Sequence, residues 1–372
     1  AAAGTFAAAG SVSLNFINNT ILAYISSSVV TAGNLTTGSI IVDARDSSVI
    51  KSVSGQINFS GTAGLGAAAA YNEIANTVKA YVEKDPLKSK PVLNAGKDIL
   101  IRSKSESAIS TICASGSFGV SFGGSATVVI NLISNTVLAY ITDAEAVSAG
   151  NLYILAESQN ATNSYAGSVG GGAVGIGAAV IVNVLNNTTK AFIISSSVDA
   201  LGNGNALTIP LWDEDGNRAV PDQEVNGLVI IAYNKEAVTI YSGSAGIGLA
   251  GASGQVSTNI ITNITEAYIG SSGINKDTDK GKWVVLRAVQ DTGIQIYAGS
   301  IAAGGAAVGG AVDATYITNE TRAYIRDSEV YAGNGVEVTA ITGLRPISAD
   351  KPAIIVAGAS LSAMFSLAGA VS

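Results

Sequence analysis

The sequence predicts an all-β fold: a parallel β-helix or β-solenoid, expected to be right-handed and built from six repeats of just under sixty residues. Three observations predict it. A seven-residue motif recurs six times, glycine-containing turns precede apolar segments of strand type, and no segment pairs an N-cap with a long amphipathic run. Because 372 residues exceed the usual size of one globular core, we expect residues 1–372 to form a single continuous array.

The recurring motif combines an asparagine, an alanine, an aromatic residue and a β-branched residue in fixed register, as in NTILAYI at 19–25 and NTVLAYI at 135–141. Successive copies begin 57, 59, 52, 76 and 56 residues apart. We interpret two positions of each copy as structural repeat positions. The asparagines are Asn19, Asn76, Asn135, Asn187, Asn263 and Asn319, and the aromatic residues are Tyr24, Tyr81, Tyr140, Phe192, Tyr268 and Tyr324.

Strand-like segments flank the motif on both sides. A Gly/Ala-rich segment such as 165–186 precedes it, and a glycine turn followed by a strand such as Val336–Ala340 comes after it. The alternation of Val-Glu-Val-Thr-Ala indicates a strand with one buried face. If each unit winds two or three coils of about twenty residues, the chain would form a rod about 90 Å long.

The repeated asparagines have two interpretations. Asparagine tolerates bends and can hydrogen-bond a neighbouring coil, which favours a structural role. Eight asparagines also begin N-x-[ST] triplets, so glycosylation is the alternative: Asn18, Asn34, Asn58, Asn160, Asn186, Asn187, Asn263 and Asn319.

Cys113 lies 22 residues before its motif, the position that Tyr165, Tyr241 and Tyr297 take in other repeats. We therefore interpret this cysteine as a packing residue that replaces tyrosine, since free cysteine is commonly buried.

Composition excludes several classes of function. The net charge is −7 with no basic cluster, which argues against nucleic acid as a partner. The chain has no histidine, one cysteine and one methionine, so common groups of acid–base, nucleophilic and metal chemistry are almost absent. We predict that the protein is not an enzyme. The alternative is a β-helical enzyme that processes polysaccharides with carboxylates from adjacent coils.

Insertions fall at one point of the repeat, after the motif. The longest covers 198–226, and smaller ones cover 84–91 and 274–282. Loops that leave a repeat array at equivalent points lie on one side, which is commonly the binding side. The longest insertion therefore predicts a recognition loop that includes Trp212, Asp213 and Asp215.

The same insertion carries a partial calcium-loop pattern. Asp213, Asp215, Asn217 and Glu224 fall at positions 1, 3, 5 and 12 of such a loop. Arg218 occupies the sixth position, where glycine is needed, so an exposed acidic loop is the preferred interpretation. We predict no cofactor or metal, with calcium as the open alternative.

With its motif and its AGSVGGGAVGIGAAVIVNV-type segments (166–184 for this copy), the chain resembles the repeat regions of large bacterial exoproteins of the filamentous-haemagglutinin and leukotoxin type. The resemblance covers essentially the whole sequence. It implies a right-handed β-helix that is exported through the outer envelope and serves in adhesion or, in some members, toxicity. The family's amino-terminal secretion module and carboxy-terminal barrel or anchor are missing from this sequence. Its shared positions are structural, so no functional residue can be transferred.

Taken together, these observations predict the structural shaft of a secreted or cell-surface adhesin, or of an extracellular fibre. Long uncharged segments could associate between copies, so lateral or end-to-end self-association is expected, with a cell-surface protein or a glycan as a further partner. The uncharged segments are rich in Ala, Gly and Ser, and we predict no membrane span. An outer-membrane β-barrel is the remaining alternative.

Overall fold

The computed structural model describes residues 2–34, 37–213, 218–276, 282–348 and 351–372. Strands make up 81% of these residues, and none of them is helical. No helix in these ranges is long and apolar enough to cross a membrane. The strands are β1 (Ala2–Ala3), β2 (Phe6–Ile17), β3 (Thr20–Ser26), β4 (Val29–Ala32), β5 (Ile40–Ser60), β6 (Ala63–Ile74), β7 (Thr77–Glu83), β8 (Val92–Ala95), β9 (Ile99–Gly119), β10 (Phe122–Ile133), β11 (Thr136–Thr142), β12 (Glu145–Ser148), β13 (Leu152–Gly171), β14 (Val174–Ile194), β15 (Ser197–Ala200), β16 (Leu207–Trp212), β17 (Arg218–Val225), β18 (Gly227–Ile247), β19 (Ala250–Gly270), β20 (Gly273–Ile274), β21 (Trp283–Arg326), β22 (Glu329–Val330), β23 (Gly335–Pro346) and β24 (Ile354–Val371).

Sixteen of these strands form one parallel sheet. Its main path is β1-β5-β9-β13-β18-β21-β19-β14-β10-β6-β2, with β3, β7, β11, β23 and β24 paired at its sides. The 44-residue strand β21 belongs to both halves of this path: its first part pairs with β18 and its second part with β19. The sheet therefore folds back on itself and is nearly closed, like a barrel. A six-stranded parallel sheet and the antiparallel pair β16-β17 complete the described strands.

The prediction of a solenoid built from six repeats is wrong. The chain forms one large body around the nearly closed sheet, and its main strands run for up to 21 residues or, in β21, for 44. The segment Ile99–Ser103, which the sequence predicts as a short strand, is only the start of the 21-residue strand β9. Strands of this length leave no room for two or three coils in each unit, so the predicted 90 Å rod is also wrong. Six paired motif positions at about 4.8 Å per strand span only about 24 Å.

Two apolar clusters fill the interior. The first packs the start of β9 against β11 and β12, through Ile99, Ile101, Val137 and Ala146. The second packs the later part of β9 against β10, through residues such as Ile109. Side chains alternate between buried and exposed along most strands, as a sheet with one interior face requires. Both clusters extend across the neighbouring strands of the sheet.

A buried polar layer lies between the two clusters. On β9 it consists of Ser103, Ser105 and Ser107. On β18 it includes Glu236, whose Oε1 accepts hydrogen bonds from the amides of Asn160 at 3.0 Å, Asn187 at 2.8 Å and Asn234 at 3.0 Å. The other oxygen, Oε2, is buried and has no hydrogen-bond partner. Burial raises the pKa of Glu236 to about 8, against the lowering effect of the three amides.

The motif asparagines support this layer. The backbone N–H of Asn19 donates to Asn76 Oδ1 at 2.9 Å, Asn76 donates to Asn135 at 3.0 Å, and Asn135 donates to Asn187 at 2.8 Å. Each side chain thus bonds a backbone group of the preceding strand, as the structural interpretation expects. Of the asparagines in glycosylation triplets, Asn58, Asn160, Asn187 and Asn263 are buried, and a buried amide cannot be glycosylated.

The position assigned to Cys113 is wrong by one residue. Cys113 pairs with Ala166, whereas Tyr165 pairs with Ile112. Side chains alternate between the two faces of a strand, so Cys113 points inward and is 1% exposed, while Tyr165 points outward and is 39% exposed. The packing role holds, but Cys113 does not replace tyrosine.

Candidate functional site

The strongest candidate site is a cleft beside the longest insertion. The insertion folds as the antiparallel hairpin β16-β17, which lies on the outer face of β18 and β21. Ile209 and Val225 of the hairpin pack on Val229, Ile231 and Val285 of the sheet. This small external core attaches the hairpin to the large sheet.

Arg287 of β21 fixes the hairpin from below. Its side chain is only 3% exposed, and its Nε donates to Glu337 Oε1 at 2.6 Å. Its Nη1 donates to the carbonyl oxygen of Pro210 in β16 at 2.9 Å, and Nη2 donates to Gln223 Oε1 in β17. One buried guanidinium therefore binds both hairpin strands and the neighbouring β23.

The hairpin and the sheet enclose about 410 Å³ between them. The lining combines aromatic rings, apolar side chains, an amide and charged groups: Tyr153, Leu155, Glu157, Gln159, Pro210, Trp212, Arg218, Tyr233, Lys235, Asp291 and Arg345. The rings of Trp212 and Tyr233 lie 5.3 Å apart at an angle of 38°. A few convergent polar groups around aromatic walls are typical of binding sites for small molecules.

Most charges of the cleft are paired. Arg345 binds Asp291 through two hydrogen bonds of 2.7 and 3.0 Å, which raise the pKa of the Arg345 guanidinium. Glu157 accepts a hydrogen bond from Gln159 Nε2 at 2.5 Å and lies 3.5 Å from Lys104 Nζ.

Two tyrosines keep their protons in the cleft. Burial, together with the nearby carboxylate Glu157, raises the pKa of Tyr153, and burial with Asp291 and Glu157 raises the pKa of Tyr233. Both phenols therefore remain neutral hydrogen-bond donors at physiological pH.

The cleft includes only part of the predicted recognition loop. Trp212 lines it, whereas Asp213 is exposed at the end of β16 and has an electrostatic effect on Arg345. Asp215 and Asn217 lie outside the described residues, as do parts of the predicted 274–282 insertion. Glu224 is exposed on β17. Within the described ranges, no cluster of three or more acidic, cysteine or histidine side chains is arranged to hold a metal ion. The 84–91 insertion is the connection between β7 and β8.

Sequence reasoning missed every cleft residue that comes from the sheet. Tyr153, Glu157, Tyr233 and Lys235 occupy ordinary outward positions of β13 and β18, with no local motif to mark them. The available signal was their alternation with buried residues, which places them on the outer face. It could not show that the hairpin lies over that face.

The repeat positions form a second notable feature. The six motif aromatics are paired in register on adjacent strands. Their rings are nearly parallel, with centroids 4.8 to 5.0 Å apart from Tyr24 to Tyr324. We call this row the aromatic column. It is a structural element, since its members contact one another.

A further hollow of about 590 Å³ lies on the outer face of the Gly/Ala segments. Its walls are glycines, alanines and a few larger apolar residues such as Leu65, Phe122 and Ile176, with Ser125 as the polar side chain. This larger hollow has no set of polar groups that could orient a ligand, so it is a weaker candidate than the cleft.

Comparisons with known proteins identify no relative. No family profile, curated protein or solved structure matches the chain. The resemblance to large bacterial exoproteins therefore stays a prediction, and function has to be argued from the geometry.

Proposed function

We propose that the chain is a structural protein of the extracellular space or bacterial cell surface, which serves in attachment and assembles from rigid copies joined head to tail. One observation carries the proposal: both ends of the main sheet are open edges, and the two edges carry matching chemistry. The proposal also makes the protein a binding and scaffolding molecule and not an enzyme.

The first edge is formed by the outer sides of β2 and β3. Both strands have neighbours on one side, β6 and β7 respectively. Tyr24 in β3 is 57% exposed at this edge, and Phe16 in β2 is 64% exposed. Unpaired strand edges are templates for the addition of further strands.

The second edge is the last part of β21, which pairs with β19 on one side only over residues 313–326. Tyr324 ends the aromatic column here, flanked by Arg322 and Arg326. If a second copy adds its β3 to this edge in the same register, its Tyr24 would lie on Tyr324 and its Ser26 opposite Arg326. The contact would repeat geometry that already occurs five times within one copy.

Because the two edges belong to different strands, such a contact is heterologous and does not close by two-fold symmetry. Contacts of this kind give open filaments unless a rotation closes them into a ring. This is the behaviour expected of a fibre or a surface layer.

Catalysis is the weaker alternative. The two carboxylates of the cleft, Glu157 and Asp291, are each bound by a cation or an amide, and neither has a raised pKa that would suit a general acid. A glycosidase needs one protonated and one free carboxyl group. The cleft therefore favours binding over cleavage.

The assembly can be tested by light scattering and negative-stain electron microscopy over a range of concentrations. We expect the wild-type chain to form linear assemblies that lengthen with concentration. Tyr24→Lys, which would face Arg322 and Arg326 of the next copy, should shorten them. Ser26→Glu, opposite Arg326, should lengthen them at low salt.

Leu87→Lys is the matched control, because Leu87 is 95% exposed in the β7-β8 connection and away from both edges. It should leave the assembly unchanged. A chain that stays monomeric at all concentrations, or in which Tyr24→Lys and Leu87→Lys behave alike, would contradict head-to-tail association.

A further inference from the structure

We infer that the cleft beside the β16-β17 hairpin is a binding site for an acidic oligosaccharide. A sugar ring packs against Trp212 and Tyr233, and a carboxylate of the ligand pairs with Lys235. The inference rests on the cleft alone and does not depend on head-to-tail assembly.

The aromatic wall suits a sugar ring. One face of a pyranose carries C–H groups, which pack on aromatic rings, while its hydroxyl groups need hydrogen-bond partners nearby. The hydroxyl groups of Tyr153 and Tyr233 have no hydrogen-bond partner within the described part of the chain, and both stay protonated because their pKa is raised. The Oε1 atom of Gln159 is an available acceptor, since only its Nε2 is engaged, with Glu157.

The charge of the cleft favours an anionic ligand. Arg345 is neutralised by Asp291, Arg218 by Asp222, and Glu157 by Lys104. Lys235 is left as a half-buried cation without a salt bridge to any described residue. An unpaired ammonium on an acidic protein would attract a carboxylate, because a buried charge is costly unless it is paired.

The cleft continues as a groove, which fits a chain rather than a single sugar. Its floor is a row of small side chains on adjacent strands: Ala108, Ala161, Ala237 and Gly293. One wall is the row Glu106, Gln159, Lys235 and Asp291, and the other is Ser110, Asn163, Thr239 and Gln295. Part of this groove forms a hollow of about 300 Å³ that shares Gln159 and Lys235 with the cleft.

The groove runs across the strands. With about 4.8 Å between neighbouring strands, four strands give a length of roughly 14 Å before the hairpin region is added. Amide and hydroxyl groups at regular intervals along both walls can bond successive sugar residues. The ligand is therefore an oligosaccharide that lies across β9, β13, β18 and β21.

Isothermal titration calorimetry tests the assignment with two defined probes: a hexamer of galacturonic acid and a neutral hexamer of glucose. We expect the wild-type chain to bind the uronate hexamer and to bind the neutral hexamer at least tenfold more weakly. Affinity for the uronate should fall as salt is raised, because the carboxylate pairs with a half-exposed cation.

Three variants separate the contributions. Lys235→Gln keeps the length and polarity of the side chain and should weaken uronate binding by roughly tenfold to a hundredfold, the usual effect of losing a hydrogen bond to a charged group. Tyr233→Phe keeps the packing and removes one donor, so it should weaken binding by a smaller factor. Trp212→Ala should weaken binding to both probes by roughly tenfold or more.

Glu224→Gln is the matched control, since Glu224 is exposed on the same hairpin and does not line the cleft. Its affinity should equal that of the wild-type chain. The assignment is overturned if the wild-type chain binds neither probe, if it prefers the neutral hexamer, or if Lys235→Gln binds the uronate as well as Glu224→Gln does. Tyr233→Phe and Lys235→Gln leave the hairpin core intact, so a folding defect in Trp212→Ala would not affect these outcomes.

Discussion

Replacing Glu236 by glutamine should make the stability of the protein less dependent on pH. Glu236 is fully buried in the polar layer, with three asparagine amides on Oε1 and no partner for Oε2. Its pKa is raised from 4.5 to about 8 in the folded chain. The folded protein therefore keeps this proton over a pH range in which the unfolded chain has lost it.

The sign of the effect follows from this difference in proton binding. Below about pH 4.5 both states hold the proton, and the group adds no pH dependence. As the pH rises from 4.5 towards 8, the unfolded chain is increasingly favoured, because its carboxyl group ionises in water. Each pH unit in this window costs about 1.4 kcal/mol, so at pH 7 the penalty is about 3 kcal/mol.

Glutamine keeps an oxygen for the three amides and carries no ionisable proton. The free energy of unfolding of Glu236→Gln, relative to wild type, should therefore increase by about 3 kcal/mol between pH 4 and pH 7. Denaturant titrations monitored by circular dichroism at pH 4, 5, 6 and 7 measure this difference. The exposed Glu224→Gln should show no comparable trend. A difference between Glu236→Gln and wild type that stays constant over this range would refute the reasoning.

Two further substitutions test other parts of the interior. Asn183→Ala should lower the free energy of unfolding by about 3 kcal/mol, because Asn183 bonds Asn131, Ser164 and Asn259 in the buried layer, whereas the exposed neighbour Asn186→Ala should cost less than about 0.5 kcal/mol in the same denaturant titration. Arg287→Met should release the β16-β17 hairpin, since it removes the bonds to both hairpin strands and to Glu337, and limited proteolysis should then cut at 207–225 before the rest of the chain; equal cleavage rates in wild type and variant would contradict that role.

The repeated motif was a correct guide to which strands pair. Alternating apolar residues, β-branched side chains and the absence of helix signals predicted an all-β chain of parallel strands, and the structure agrees. The sixfold Asn and aromatic register predicted neighbours, and Tyr24, Tyr81 and Tyr140 do lie side by side on adjacent strands. Such patterns are local or periodic, so they can be found without coordinates.

Strand length and closure could not be predicted in the same way. The Gly/Ala segments were expected to contain turns, yet 63–74 and 174–194 are continuous strands. Glycine and alanine have low strand propensity, and here the pairing with neighbouring strands outweighs it. The result is one circuit of long strands in each unit and a nearly closed sheet, in place of the predicted multi-coil solenoid.

The register of Cys113 shows how small the decisive differences are. The connection between β9 and β10 spans Val120 and Ser121, and the ladder pairs Gly171 with Phe118, so this repeat holds one residue more before its motif than the repeat that contains Tyr165. Counting back from the motif therefore misplaced the cysteine by one position. A shift of one residue exchanges the inner and outer faces of a strand, and only the strand pairing reveals it.

The amino-acid sequence by itself determined the strand content, the parallel pairing of its repeats and the position of the longest insertion, because these depend on local pattern and on self-similarity. Tertiary structure alone decided that the sheet folds back through β21, that Glu236 is buried among asparagines, and that the hairpin encloses Tyr153, Tyr233 and Lys235. Those properties depend on which distant strands lie against each other, and side chains on separate strands acquire a shared environment only when the sheet has formed.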